Sequence, residues 1–211
     1  MKRWHRTAKK AYFFEELLRI LNEHLSYTYA DILEEGDARI EVVHKRLEDS
    51  TTYVLQPLLP EWQEGSLKKF DPEKIAFGDS EVEIECCYGA ILPSEENFCY
   101  YAANMNSSGV EIRINGRVVE YGRISSIWGK RVHPAYNSFL ARINLKTDQI
   151  GALPETRTTK TGFRAGDPKR NELYKWIREK VEMPKGSVLT REQKLIRALA
   201  EKLTGKQSTH I

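Results

Sequence analysis

An α+β fold, a mixed β-sheet packed by helices on one face and followed by a C-terminal helical pair, is predicted by three features of this 211-residue chain. The patterns run helix, then antiparallel-looking strands, then helices, rather than the strand–helix alternation of a parallel sheet. Apolar residues recur at helical spacing towards both ends. Between them lie segments of two-residue alternation joined by turn signals, of which Asn115-Gly116 is the strongest.

Residues 7–25 carry Phe14, Leu18, Leu21 and Leu25 at helical spacing with Phe13, Leu17 and Ile20 beside them, so a wide apolar stripe is expected to pack on the sheet. A shorter helix over 27–35 stops at Gly36. Residues 39–45 and 51–55 are β-branched and separated by Glu48-Asp49-Ser50, which predicts a hairpin. Pro57 and Pro60 then force a loop that carries Trp62 and runs to Gly78-Asp79. From Ser80 to Leu92, Val82, Ile84 and Cys86 alternate with Glu81, Glu83 and Glu85, the period of a half-buried strand with one wet face.

Val110, Ile112 and Ile114 alternate with Glu111 and Arg113, and Asn115-Gly116 turns the chain into Arg117-Val118-Val119. Residues 138–146 supply another alternating strand, followed by a loop to Gly166. Asp167 as N-cap and Pro168 in the first turn open a helix continued by Leu173, Trp176, Ile177 and Val181 to about Glu182. A second helix begins at the capping pair Thr190 and Gln193, carries Leu195, Ile196, Leu199 and Leu203, and ends at Gly205.

Hydrophobic residues at 40% and charged residues at 30% suit a folded body able to bury a core without metal or disulfide. Three cysteines, Cys86, Cys87 and Cys99, make a poor disulfide framework and point to a reducing compartment. The basic start lacks an uninterrupted apolar h-region, and no apolar run reaches membrane-spanning length, so a soluble cytoplasmic protein without a membrane partner is expected. Net charge is only +3 but uneven: residues 156–206 hold 14 Lys/Arg and 6 Asp/Glu, about +8, which leaves about −5 elsewhere. Two units are expected, an α+β domain over 1–166 and a basic helical extension over 167–211.

Several chemistries lack their motifs. No GxxxxGK[ST] loop is present to cradle phosphate, no GxGxxG follows a strand, and no GxSxG elbow presents a serine. The five histidines have no metal-ligand spacing with the cysteines. Asp79, Glu81, Glu83 and Glu85 could in principle converge on a divalent ion, but their alternation is that of any solvent-facing strand side. The stretch 153–163, Leu-Pro-Glu-Thr-Arg-Thr-Thr-Lys-Thr-Gly-Phe, combines a fixed proline, hydroxyls, a lysine and a glycine. It suits presentation of one compact ammonium to a phosphate, although composition alone favours a plain polar connector.

The run 108–119 (SGVEIRINGRVV), followed by His133-Pro134, Asn137-Ser138-Phe139 and the 153–163 segment, resembles the transducer domain of GHKL ATPases, the superfamily of gyrase B, MutL, MORC, a heat-shock chaperone and histidine kinases. Residues 24–29 and 33–36 look like the helix that opens this domain. The resemblance spans roughly 12–165 and implies a ribosomal-protein-like α/β fold directly after an ATP-binding Bergerat domain. It implies that Lys160, flanked by Thr159 and Thr161, reaches the ATP γ-phosphate and reports whether it is there. The Bergerat motifs that handle ATP and Mg2+ are missing from this chain, so both would enter only through a GHKL ATP-binding domain located upstream or on a separate chain.

The leading expectation is therefore a non-catalytic transducer portion of an ATPase, acting in DNA repair, topology or phage defence, with DNA and a second copy of the chain as further partners. The alternative is a nucleotide-independent nucleic-acid-binding module that uses Arg157, Lys160, Arg164, Lys169 and Arg170 against phosphates. A third reading is a small enzyme whose carboxylates, Glu83 and Glu85, meet only in three dimensions.

Overall fold

The computed structural model describes residues 2–46, 49–78, 80–97, 99–122, 124–131, 133–157 and 162–184, without the side chains of 2–12, 46 and 150. Two helices, α1 (Lys2–Thr28) and α2 (Ala30–Glu34), lead into a two-stranded ribbon of β1 (Glu41–Arg46) and β2 (Asp49–Val54). Then come β3 (Lys68–Lys69), β4 (Glu73–Phe77), β5 (Ser80–Ala90), β6 (Gly109–Ile114), β7 (Arg117–Gly122), α3 (Ile124–Trp128), β8 (Phe139–Lys146) and α4 (Pro168–Lys180). The main sheet runs β3-β5-β8-β6-β7, with β4 also paired to β5. Its β6–β8 pair is parallel and every other pair antiparallel, so the fold is α+β with a mixed sheet.

Period-two alternation builds the core. Val82, Ile84, Cys86 and Tyr88 of β5, Phe139, Ala141, Ile143 and Leu145 of β8, and Val110 and Ile112 of β6 all point to one face. Ile124 and Ile127 of α3 and Leu173, Tyr174 and Ile177 of α4 close over it. Each such fully buried aliphatic side chain is worth about 1.5–3 kcal/mol. The first part of the expected C-terminal extension thus contributes to the same core as the sheet. Its second helix, expected over 190–205, lies outside the described residues.

The sheet is covered on both faces rather than one. Tyr27 at the end of α1 joins Ile91, Tyr101 and Leu140 in a second cluster, flanked by Trp62, Tyr100 and Tyr121. Tyr27 stacks on Tyr100 with ring centroids 3.7 Å apart and meets Tyr101 edge-on at 5.5 Å. Upstream of Tyr27, α1 departs from expectation: Phe13, Phe14, Leu17 and Leu21 are exposed instead of packed on the sheet.

The β6–β7 hairpin forms at the Asn-Gly signal, with Asn115 at φ +46° and Gly116 at φ +79°. A Cβ on Gly116 would come within 3.2–3.3 Å of Ile32 and Asp31, so the turn also lets α2 approach closely. Three sequence expectations shift. Asp49 and Ser50, read as a turn, already belong to β2. The loop expected over 57–79 contains β3 and β4, whose Lys68-Lys69 and Glu73-Lys74 hide the alternation because both strands sit on the outer edge of β5. The one-and-a-half-turn α3 is too short to show a helical period.

Candidate functional site

The 153–167 segment folds as a small hairpin rather than an open loop. Thr156 and Phe163 form a β-bridge, Arg157 N–H donates to the Gly162 carbonyl at 2.9 Å, and Arg164 N–H donates to the Glu155 carbonyl at 2.7 Å. The base is fixed from several sides. Phe163 is fully buried in the main core, Pro154 is buried, and Leu153 packs against the core. Asp167 caps α4 by accepting from Lys169 N–H at 2.8 Å, and its other oxygen accepts from Glu155 N–H. One carboxylate thereby ties the hairpin to the start of α4. The tip, Thr158 to Thr161, lies outside the described residues, and with it the expected phosphate loop Thr159, Lys160 and Thr161.

A register shift at Ile112/Arg113 connects this hairpin to the sheet. A bulge of this kind places two consecutive residues on one side of a strand. Val119 and Glu120 accordingly both turn to the core face, and Glu120 is buried there. Its carboxylate accepts Tyr174 Oη–H of α4 at 2.6 Å and Phe163 N–H at 3.4 Å. Burial first, and then the bond to Glu120, push the Tyr174 phenol up to about 12. Hairpin base, β7 and α4 are thus joined through one buried carboxylate.

Between the hairpin, the β6–β7 turn and the first turn of α4 opens a cleft of about 1110 Å³. Its charged lining mixes Arg117, Arg164 and Lys169 with Glu155, Asp167 and Glu172. Of the expected phosphate stripe, Arg164 and Lys169 reach this cleft, whereas Arg157 and Arg170 are not part of its lining. All four make internal contacts. Arg157 Nε donates to the Phe163 carbonyl at 3.3 Å and Arg164 pairs with Glu155 at 2.9 Å, with both ends of that pair mostly in water. Lys169 Nζ donates to the Gly151 carbonyl, and the Arg170 guanidinium lies 4.6 Å from the Tyr174 ring centroid.

A second polar cluster, not anticipated from the sequence, sits on the other face of the sheet. Glu111 of β6 is fully buried and accepts from Arg113 Nε at 2.6 Å, Arg142 Nε at 2.9 Å and Tyr101 Oη at 2.8 Å. Asp31 of α2 closes the ring, 2.6 Å from Arg113 and 2.7 Å from Arg142. Burial alone would raise the Glu111 pKa, but the two guanidiniums outweigh it and hold the carboxyl below its ordinary value. Two cations and two anions balance, so the cluster fastens α2 to the sheet. The alternation of Glu111 and Arg113 with their apolar neighbours is the same whether that strand side is wet or buried. The signal that would have revealed them is the register that places Glu111 beside Arg142, and the sequence does not display it.

Of the carboxylates of the small-enzyme reading, Glu81 and Glu83 line a shallow pocket together with Lys74, Lys146 and Asp148. Glu85 is engaged by Lys146 at 2.7 Å and Asn144 at 3.1 Å, Glu81 lies 3.8 Å from Lys74, and Asp79 is outside the described residues. Among the described residues no group of three or more His, Cys, Asp or Glu is placed to hold a metal ion. None of their helices is long and apolar enough to cross a membrane. No protein-family model matches the chain, and no curated protein matches it.

Proposed function

We propose that this chain is the non-catalytic transducer portion of a GHKL-type ATPase, a cytoplasmic module that answers to a nucleotide held by a separate ATP-binding domain. The observation that supports this reading is the hairpin of residues 153–167, whose base is pinned by Phe163, Asp167 and Glu120 while its tip carries Lys160. A fixed base with a lysine at the tip is what a phosphate sensor requires. The ammonium is a compact point charge, and its interaction is lost when the terminal phosphate leaves.

In this reading ATP and Mg2+ belong to the partner domain and supply the charge that the lysine reads. This chain's own residues position and relay. Thr159 and Thr161 supply hydroxyl donors beside Lys160, and displacement of the tip passes to Phe163. From there Glu120 connects to β7 and to Tyr174 of α4. The basic stretch that follows would carry the movement towards a target such as DNA in repair, topology or phage defence.

The test is ATP turnover by the ATP-binding domain joined to or co-purified with this chain, comparing wild type with Lys160→Ala. A large loss of turnover with the fold intact supports the transducer. Unchanged turnover together with salt-steep DNA binding that ignores ATP would reassign the chain as a nucleic-acid-binding module acting through Arg157, Arg164, Lys169 and Arg170.

A further inference from the structure

The cleft between the 153–167 hairpin, the β6–β7 turn and the first turn of α4 contains a cation that the fold leaves without an anion. Its charged residues are not equivalent. Glu155 is taken up by Arg164 at 2.9 Å, and Asp167 by the amides of Lys169 and Glu155. Lys169 Nζ donates to the Gly151 carbonyl, a neutral partner that leaves its charge uncancelled. Glu172 is exposed. Arg117 is half-buried and takes part in no ion pair among the described residues, and its Nε is shut off from water without an acceptor.

A buried donor without a partner is uncommon and calls for a water or an ion to complete it. Arg117 opens β7 directly after the Asn115-Gly116 turn, and its guanidinium lies 5.8 Å from the Tyr29 ring centroid, which backs it with a flat aromatic surface. The planar fork of a guanidinium matches two oxygens of a phosphate or a carboxylate. With Glu155 and Asp167 already engaged, Arg117 and Lys169 outweigh Glu172, so the cleft favours an anion. At about 1110 Å³ it is much larger than an inorganic oxyanion needs, and Ile114, Val119, Leu153 and Pro154 add apolar lining. An anionic head on a partly apolar body fits both features.

We propose that this cleft binds a small organic oxyanion, held through the guanidinium of Arg117 with Lys169 as the second cation. The head is a phosphate or a carboxylate, since both offer the paired oxygens that the fork takes. The hairpin, the β6–β7 turn and the start of α4 all contribute to the lining, so a bound ligand bridges the three and stabilises the folded chain by mass action.

Thermal melts and calorimetric titrations of the full-length chain with pyrophosphate and with citrate, at matched ionic strength, test this. At ten times Kd the preferred anion is expected to raise Tm by about 3–6 °C, and the anion with the larger shift identifies the head. Arg117→Gln is expected to weaken binding about tenfold or more, the scale of a charged hydrogen bond, and Arg117→Lys, which keeps the charge and loses the fork, to fall between the two. Glu172→Gln leaves the guanidinium untouched and is expected to tighten binding, so the outcome does not hang on how well Arg117→Gln folds. Arg157→Gln, outside the lining, is expected to bind as wild type does. No shift with either anion, or equal affinity in wild type and Arg117→Gln, overturns the proposal. An equal loss in Arg157→Gln and Arg117→Gln would mark general attraction to a basic surface and overturn it as well.

Discussion

Replacing Glu111 with glutamine removes one charge from the sealed cluster beneath α2 while keeping the side chain's shape. Three donors converge on this carboxylate at 2.6, 2.8 and 2.9 Å, two of them from guanidiniums. Without it, Asp31 is the carboxylate that Arg113 and Arg142 still share. Breaking a buried pair in this way costs about 3–5 kcal/mol, chiefly from the charge left without compensation. For a domain of this size that corresponds to a drop of about 6–20 °C in Tm. Urea unfolding followed by tryptophan fluorescence reads the loss directly, and an unchanged m-value would show that the unfolded state is unaffected. The pH dependence supplies a second reading. Because the guanidiniums hold Glu111 below its ordinary 4.5, its contribution is complete above that value and disappears as pH falls through the lower folded value. The gap between wild type and Glu111→Gln should thus stay constant from neutral pH to about 5 and narrow below about pH 4. A gap under about 1 kcal/mol at neutral pH, the scale of a surface pair, would refute the account of the cluster.

Three further outcomes follow from the same structure. Tyr174→Phe should lower stability by about 1–3 kcal/mol, because the buried Glu120 carboxylate loses its 2.6 Å donor; a loss of a few tenths in urea unfolding would contradict the bond. Gly109→Ala should cost more than an ordinary Gly→Ala change, about 2 kcal/mol or above, because a Cβ at φ +124° would lie 2.6 Å from the Gly122 carbonyl oxygen; an unchanged Tm would show that this close approach is absent. In thiol labelling of the folded chain, exposed Cys99 should react first and Cys86 only on unfolding, since burial pushes the Cys86 thiol up to about 12; equal rates for the two would sink the burial argument.

Much of the architecture is legible in the sequence because the inner strands β5, β6 and β8 alternate and several turns carry their own residues. Asn115-Gly116 sets the β6–β7 hairpin, Gly36 ends the α2 segment at φ +77°, and Asp167-Pro168 starts α4 where the spacing predicts. What the sequence conceals is tertiary. Edge strand β3 consists of two exposed lysines, and β4 opens with Glu73 and Lys74 before Ile75 and Phe77, so neither shows a full apolar alternation. The bulge that swings Glu120 into the core, and the register that seals Glu111 against Arg142, depend on partners far along the chain. The α1 stripe misleads for a related reason, since its spacing records that an apolar face exists and not what covers it. Of the candidate site, the segment around residues 153–163 stands out by composition. Its anchoring through Phe163 and Glu120 emerges only when the strands are assembled.

The central claim is that Lys160 reads the terminal phosphate of a partner-held nucleotide. Its most direct test is the affinity of the joined ATP-binding domain and chain for a non-hydrolysable ATP analogue relative to ADP, measured by calorimetry with wild type and Lys160→Ala. The account predicts that wild type prefers the triphosphate and that Lys160→Ala loses about 5- to 150-fold of that preference, the span of one coupled charge contact, while ADP affinity is unchanged. A preference that is the same in both proteins would contradict it.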